Sequence, residues 1–225
     1  MPQPKFKVVI LDVDGTLIDS NDAHAKAWVE AFADYGFKAD FQKVRPLIGM
    51  GGDNLMPLAI GIQSESDLGS KIEKRRGEIF LQKYFSSLKP FPKSRELLCH
   101  MQDSGLELTV ASSSDKEGLR RLLHQAGIAD LIEEKTSADD AQNSKPDPDI
   151  VKAALQKSGR TADNAIMLGD TPYDISAAAQ CGVLCVALRC GGWDDEALAG
   201  AVETYDDPAH LLANYDKSIF KRSSA

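Results

Sequence analysis

From residue 105 onward the chain repeats one order: a short apolar run, a loop, then an amphipathic stretch. "LELTVAS" (106–112) reads as a strand and "SDKEGLRRLLHQAG" (114–127) as a helix, with Ser114 as its cap, Glu117 three residues on, and Gly127 as its stop. A weaker strand around "LIEEKT" (131–136) precedes "SKPDPDIVKAALQKSG" (144–159), where Asp147 suits an N-cap and Pro148 a first helical position. "NAIMLGD" (164–170), "PYDISAAAQCG" (172–182) and "VLCVALR" (183–189) complete the series as strand, helix and strand. Short apolar strands alternating with helices specify an α/β fold with a doubly wound parallel sheet.

Residues 17–88 break that alternation. "NDAHAKAWVEAFADYG" (21–36) is an amphipathic helix stopped by Gly36, and helical patterns recur at 40–48, 52–60 and 65–87 with no strand between them. An all-helical domain, residues 17–88, is therefore expected as an insertion after the first strand of an α/β core made of residues 1–16 and 89–225. The return segment "SSLKPFPKSREL" (86–97) carries prolines suited to a hinge.

With 43% hydrophobic and 27% charged residues, the 225-residue chain has the balance of a globular protein, not a disordered one. Its 34 acidic and 26 basic residues leave a formal charge of −8, which gives no general attraction to nucleic acid or an anionic membrane. No stretch approaches the roughly 20 apolar residues of a membrane span, and "MPQPKFK" has no signal-peptide core, so a cytoplasmic location is expected. Cys99, Cys181, Cys185 and Cys190 lack CxxC spacing and read as buried free thiols. Monomer and homodimer are both left open.

The chemistry gathers at the strand ends, where parallel sheets bind their ligands. The first strand, within "KVVILDVDGTLIDS" (7–20), runs into Asp12 and Asp14, whose side chains share one side in extended backbone. Gly15 permits a sharp turn, and with Thr16 it is a candidate for holding phosphate oxygens. Ser112 follows the second strand, Lys145 precedes a helix, and Asp170 and Asp174 follow a later strand. Clustered carboxylates repel unless a cation sits between them, and an oxygen-rich set favours Mg²⁺. One carboxylate beside such an ion can attack phosphorus while its neighbour moves the proton. The metal and Lys145 would offset charge on the phosphoryl oxygens, while Ser112 donates a hydrogen bond.

In order and spacing these segments resemble the four motifs of the haloacid dehalogenase superfamily: "DVDGTLIDS", Ser112 in "TVASS", Lys145 in "SKPDPD", and "GDTPYD". The helical insertion is similar to the cap of the phosphoglycolate phosphatase and β-phosphoglucomutase subgroup. The resemblance implies a Mg²⁺-dependent phosphatase acting on a small phosphorylated metabolite through an aspartyl phosphate. It makes Asp12 nucleophile and metal ligand, Asp14 acid/base and a ligand through its backbone carbonyl, and Asp170 the third ligand. Asp174 would act on the metal through water or orient Lys145.

"HAKAW" (24–28) resembles the HxxAW segment of capped relatives, which makes His24 a candidate for positioning Asp14; an ordinary polar position is the alternative. Trp28 reads as core of the helical domain. "GMGGDN" (49–54) neither follows a strand nor carries GK[ST], so it is not a nucleotide loop. It resembles a substrate-facing cap loop, which makes Gly49, Gly51 and Gly52 substrate-binding candidates alongside Ser113 and Arg45. "KIEKRR" (71–76) reads as a solvated helix face, and "RCGGW" (189–193) as a loop with no assigned role.

A β-phosphoglucomutase-like mutase is the main alternative; the resemblance places an arginine in the cap loop of mutases, where this chain has Gly51-Gly52-Asp53, with Arg45 nearby. A phosphonate hydrolase would need a cap lysine that neither Lys26 nor Lys43 supplies by spacing. A phospho-accepting signalling module does not suit the inserted helices.

Overall fold

The computed structural model of the chain describes residues 6–132 and 134–221. Its strands are β1 (Val8–Leu11), β2 (Ile18–Asp19), β3 (Lys89–Pro90), β4 (Glu107–Ala111), β5 (Glu134–Thr136), β6 (Ala165–Gly169), β7 (Leu184–Leu188) and β8 (Glu203–Tyr205). Its α-helices are α1 (Asn21–Asp34), α2 (Phe41–Val44), α3 (Gly52–Ile60), α4 (Asp67–Ile79), α5 (Ser94–Asp103), α6 (Lys116–Gln125), α7 (Asp149–Ser158), α8 (Pro172–Gln180) and α9 (Pro208–Ala213).

Six strands form one parallel sheet in the order β5-β4-β1-β6-β7-β8. β1 is central and buried at every residue, which is why it reads as a continuous apolar run. Its period of two sends Val9 and Leu11 to a cluster with α5, α6 and α9, and Val8 and Ile10 to a second cluster with α7 and α8. The sheet is thus covered on both faces, as a doubly wound fold requires. From β1 the chain builds outward through β4 and β5, then returns to the other side of β1 to form β6, β7 and β8. That reversal opens a crevice at the carboxyl ends of β1, β4 and β6.

α1 to α4 stand between β1 and β4. Trp28, Phe32, Leu55, Ile72 and Phe80 of this block belong to the same apolar cluster as Val9 and Leu11, so the apolar core runs on from the sheet into the block. Its entry and exit strands β2 and β3 pair antiparallel, Ile18 with Pro90 and Asp19 with Lys89. This ribbon flanks the helices: β2 opens 17–88 ahead of α1 and β3 lies just past its end, and among the described residues no strand falls between the helices. Two residues are too few for a visible alternation, and Pro90 is tolerated because the pair is an edge.

β8 and α9 also lie outside the sequence expectations; both are short, and β8 is an edge strand of only half-buried residues. The cap of α6 is Asp115, which accepts the Gly118 N–H, instead of Ser114. α7 begins at Asp149 with Pro148 before it, one residue later than Asp147 as a cap would give. All four cysteines are free, but only Cys185 is buried; Cys99, Cys181 and Cys190 are half-buried. Among the described residues no helix is long and apolar enough to cross a membrane.

Candidate active site

The carboxyl ends of β1 and β6 bring three acids together. Asp12 directly follows β1, Asp170 directly follows β6, and Asp174 lies in the first turn of α8; all three are buried, and their oxygens lie within 4.8 Å of one another. Lys145, only 1% exposed, reaches in from the loop before α7, its Nζ 2.6 Å from Asp12 Oδ1 and 2.8 Å from Asp174 Oδ1. Asp174 Oδ2 accepts from the Thr171 N–H and hydroxyl, so Asp174 completes the capping box of α8 while its Oδ1 pairs with the lysine.

Thr16 Oγ1 lies 3.0 Å from Asp12 Oδ2 and 2.8 Å from Asp170 Oδ1. Its one proton cannot fully serve both. Asn21 Nδ2 donates to Asp170 Oδ2 at 2.9 Å and to the Gly191 carbonyl at 3.3 Å. The tightness explains two glycines. A Cβ on Gly15, at φ +78°, would meet Asn21 Nδ2 at 2.1 Å, and one on Gly191 would meet Asp170 Oδ2 at 1.8 Å.

One lysine does not balance three buried acids. Burial pushes the Asp12 carboxyl up to about 7 despite Lys145, with Asp174 and Asp14 adding to the rise. Asp170 is pushed well above the ordinary carboxylate range by burial and by the charges of Asp12 and Asp174. Burial works against the Lys145 ammonium, but Asp12 and Asp174 outweigh it and hold its proton more tightly than usual. A hard divalent cation fits this oxygen-rich, under-neutralised set.

Asp14 stands apart from that cluster. Its Oδ1 is 2.9 Å from His24 Nε2 and accepts from Ser20 Oγ at 2.5 Å, and its Oδ2 accepts from Ser114 Oγ at 3.3 Å. Burial raises this carboxyl, but the His24 charge and the bonds from His24, Ser20 and Ser114 together bring it below the usual value. His24 is itself buried and stacked on Phe80, ring centroids 4.1 Å apart. The two neighbouring acids therefore have different environments: Asp12 lies in a cluster of carboxylates that could hold a cation, and Asp14 among hydrogen-bonding side chains.

Above them lies a chamber of about 70 Å³. Asp12, Asp14, Ser113 and Ser114 form its core side; Gly49, Met50, Gly51 and Gly52 from the loop before α3, with Trp28, Glu73 and Arg76, form its other side. A wider cleft of about 620 Å³ between α4 and α6 adjoins it and shares His24, Glu73, Arg76, Ser113 and Ser114.

The structure thus brings Asp12, Asp14, His24, Ser113, Gly49, Gly51 and Gly52 to one chamber, with Lys145, Asp170 and Asp174 behind Asp12. Ser112 is buried and its Oγ accepts the Ser114 N–H at 3.1 Å, so Ser113 and Ser114 are the serines on the chamber wall. Thr16 bonds Asp12 and Asp170, and Gly15 lies too close to Asn21 and Asp170 to carry a side chain. Arg45 turns elsewhere: it donates to Asp22 at 2.7 Å and to the Gly191 carbonyl at 2.6 Å, joining the helical block to the loop after β7. That loop, "RCGGW", gains a role as the wall behind Asp170.

The solvated-face reading of "KIEKRR" fails at Arg76. Its guanidinium lies 5.0 Å from the Trp28 ring centroid, its Nε is buried without a hydrogen-bond partner among the described residues, and burial pulls its pKa down. A signal was present: Arg76 falls between Ile72 and Ile79–Phe80 on the buried stripe of α4. Asn21 offered no such signal beyond its place at a helix start.

The sequence profile of haloacid dehalogenase-like hydrolases matches residues 9–188. The chain is 30% identical over 214 residues to a phosphoglycolate phosphatase of Rhodospirillum rubrum, covering 91% of this chain and 89% of that protein. The crystal structure of a hydrolase from Pseudomonas syringae superposes with a TM-score of 0.85 at 27% identity, covering 94% of this chain and 98% of that one. A β-phosphoglucomutase from Clostridium difficile shares the fold, with a TM-score of 0.83 at 19% identity over 96% and 97% of the two chains. The chain belongs to the haloacid dehalogenase-like hydrolase family. Within that family its motifs and relatives make it an enzyme of the phosphatase kind.

Proposed function

We propose that the chain is a Mg²⁺-dependent phosphatase that hydrolyses a small cytoplasmic phosphate monoester, with residues 17–88 acting as a cap over the α/β core. The observation that carries this reading is the pair of unlike acids facing one small chamber: Asp12 beside an under-neutralised carboxylate cluster, and Asp14 bonded to His24, Ser20 and Ser114.

Asp12 and Asp170, with the Asp14 backbone carbonyl, would hold the ion. When bound, Mg²⁺ supplies positive charge against the phosphoryl oxygens and keeps Asp12 ionised. An Asp12 carboxylate oxygen attacks phosphorus and the ester P–O bond breaks. The departing alkoxide is protonated through Asp14, whose Oδ1 lies 2.9 Å from His24 Nε2, so the Asp14–His24 pair carries the proton that is given up. Water then attacks the aspartyl phosphate, Asp14 takes the water's proton, and the bond between phosphorus and Asp12 breaks to release phosphate. Lys145 holds Asp12 in line and offsets charge on the phosphoryl group. His24 fixes the orientation of Asp14. Arg76, aimed into the chamber from α4 with an unpartnered Nε, meets a polar or anionic end of the leaving group. The phosphoglycolate-type substrates named for the R. rubrum relative fit this requirement.

The mutase alternative keeps one supporting feature, because Arg76 supplies a chamber cation that Gly51-Gly52-Asp53 does not. A panel of phosphate esters assayed with Mg²⁺ in ¹⁸O-labelled water tests the two readings. Labelled inorganic phosphate supports hydrolysis; interconversion of sugar 1- and 6-phosphates faster than phosphate release replaces it with the mutase.

A further inference from the structure

The loop that carries Lys145 is held from across the chamber. Between the turn ending at Asp140 and the start of α7 the chain has no regular structure, and Lys145 must still place its Nζ against two carboxylates. Part of the loop is tied to the core: Asn143 to Asp149, and the Pro146 carbonyl to Gln180. The peptide at Ser144–Lys145 is tied instead to α3 of the helical block. Asp53 Oδ2 accepts the Ser144 N–H at 3.1 Å. Asn54 Nδ2 donates to the Ser144 carbonyl at 3.2 Å and to the Lys145 carbonyl at 3.3 Å.

The approach is close enough to exclude a side chain at Gly51, where a Cβ would stand 2.0 Å from Ser144 Oγ. Among the described residues Asp53 Oδ1 is buried without a hydrogen-bond partner, and the Ser144 N–H holds the Asp53 carboxylate at this contact through Oδ2. Two adjacent side chains thus bond three backbone groups of the two residues that deliver the lysine.

We propose that Asp53 and Asn54 are positioning residues: through the Ser144–Lys145 backbone they set Lys145 against Asp12 and Asp174 only when the helical block is closed on the core. The proposal rests on the phosphatase reading above. Its consequence is that closure does more than exclude water. With the block lifted, the Lys145 loop loses these three bonds, and the lysine is no longer locked in line; a closed block restores them before phosphoryl transfer. Neither Asp53 nor Asn54 needs to touch substrate for this.

The test compares Asp53→Ala, Asn54→Ala and Asp53→Asn with the unsubstituted full chain. Para-nitrophenyl phosphate with Mg²⁺ reports turnover, and hydrogen exchange with mass spectrometry over residues 141–148 reports the Ser144 amide. Both alanine variants are expected to lower kcat by about 10- to 100-fold with KM changed less than about threefold. Both are expected to speed exchange of the Ser144 amide. Asp53→Asn retains a side-chain carbonyl that accepts the Ser144 N–H, so it should recover turnover and protection together. A loss confined to KM, or unchanged kcat in both alanine variants, overturns the proposal. If the unsubstituted protein turns over no phosphate ester, the phosphatase reading fails separately and exchange alone decides: equal Ser144 protection in all four proteins overturns the positioning role.

Discussion

Lys145→Met removes the one ammonium within the acid cluster while keeping a side chain of comparable length. Lys145 is 1% exposed and lies within 3 Å of both Asp12 and Asp174, which are themselves buried. Breaking a buried ion pair from one side costs about 3–5 kcal/mol, because the remaining charge is left uncompensated. In a chain of this size each kcal/mol moves the melting temperature by about 2–4 °C, which gives a loss of about 6–20 °C in EDTA.

The direction with pH follows from the Asp12 carboxyl, already raised to about 7. A carboxyl whose folded pKa exceeds its unfolded one contributes stability below its ordinary range and loses it as pH rises. In the metal-free protein Asp12 therefore contributes less between about pH 4 and pH 7 as the pH climbs. Without the ammonium this loss extends to higher pH, so the deficit of Lys145→Met should be larger at about pH 8 than at about pH 6. Thermal melts monitored by circular dichroism at both values, in EDTA, measure it. A shift under 2 °C at either pH refutes the claim that Lys145 is the cation that makes this cluster tolerable in the absence of metal.

Asp12→Asn keeps shape but removes the attacking charge, and turnover of a phosphate ester should fall by on the order of 10⁴-fold with the melting temperature largely kept. Chelation should abolish activity and Mg²⁺ restore it; at a hundredfold excess over Kd the metal should raise the melting point by about 5–10 °C by mass action. Gly191→Ala places a Cβ 1.8 Å from where Asp170 Oδ2 now lies, so the carboxylate must move; metal affinity measured by titration calorimetry should drop even if the fold survives. Arg76→Ala should raise KM by about 10-fold or more for the preferred substrate and change little for para-nitrophenyl phosphate, which carries no second anionic group to meet it.

The strand ends were readable because apolar runs that stop at acids are unusual and their order along the chain is fixed by the fold. Asp12, Asp170 and Lys145 stand together in the structure for that reason, and the helices of 17–88 follow their periodicity. What escaped depends on contacts between distant segments. Arg76 sits in a charged run, and only the packing of Ile72 and Phe80 turns it inward. Ser114 looks like a cap beside Glu117, yet Asp115 takes the Gly118 N–H and leaves Ser114 free to reach Asp14. Gly191 matters through its distance from Asp170, and Asp53 and Asn54 through a loop about 90 residues away; no local pattern encodes either.

In the proposed reaction phosphorus is transferred to Asp12. Rapid acid quench of the enzyme during turnover, followed by borohydride reduction, converts an acyl phosphate to a homoserine residue that peptide mass spectrometry can place. Homoserine is expected at position 12 and nowhere else, dependent on substrate and on Mg²⁺, and absent in Asp12→Asn. Reduction at position 14, or turnover with no reducible acyl phosphate at any acid, contradicts it.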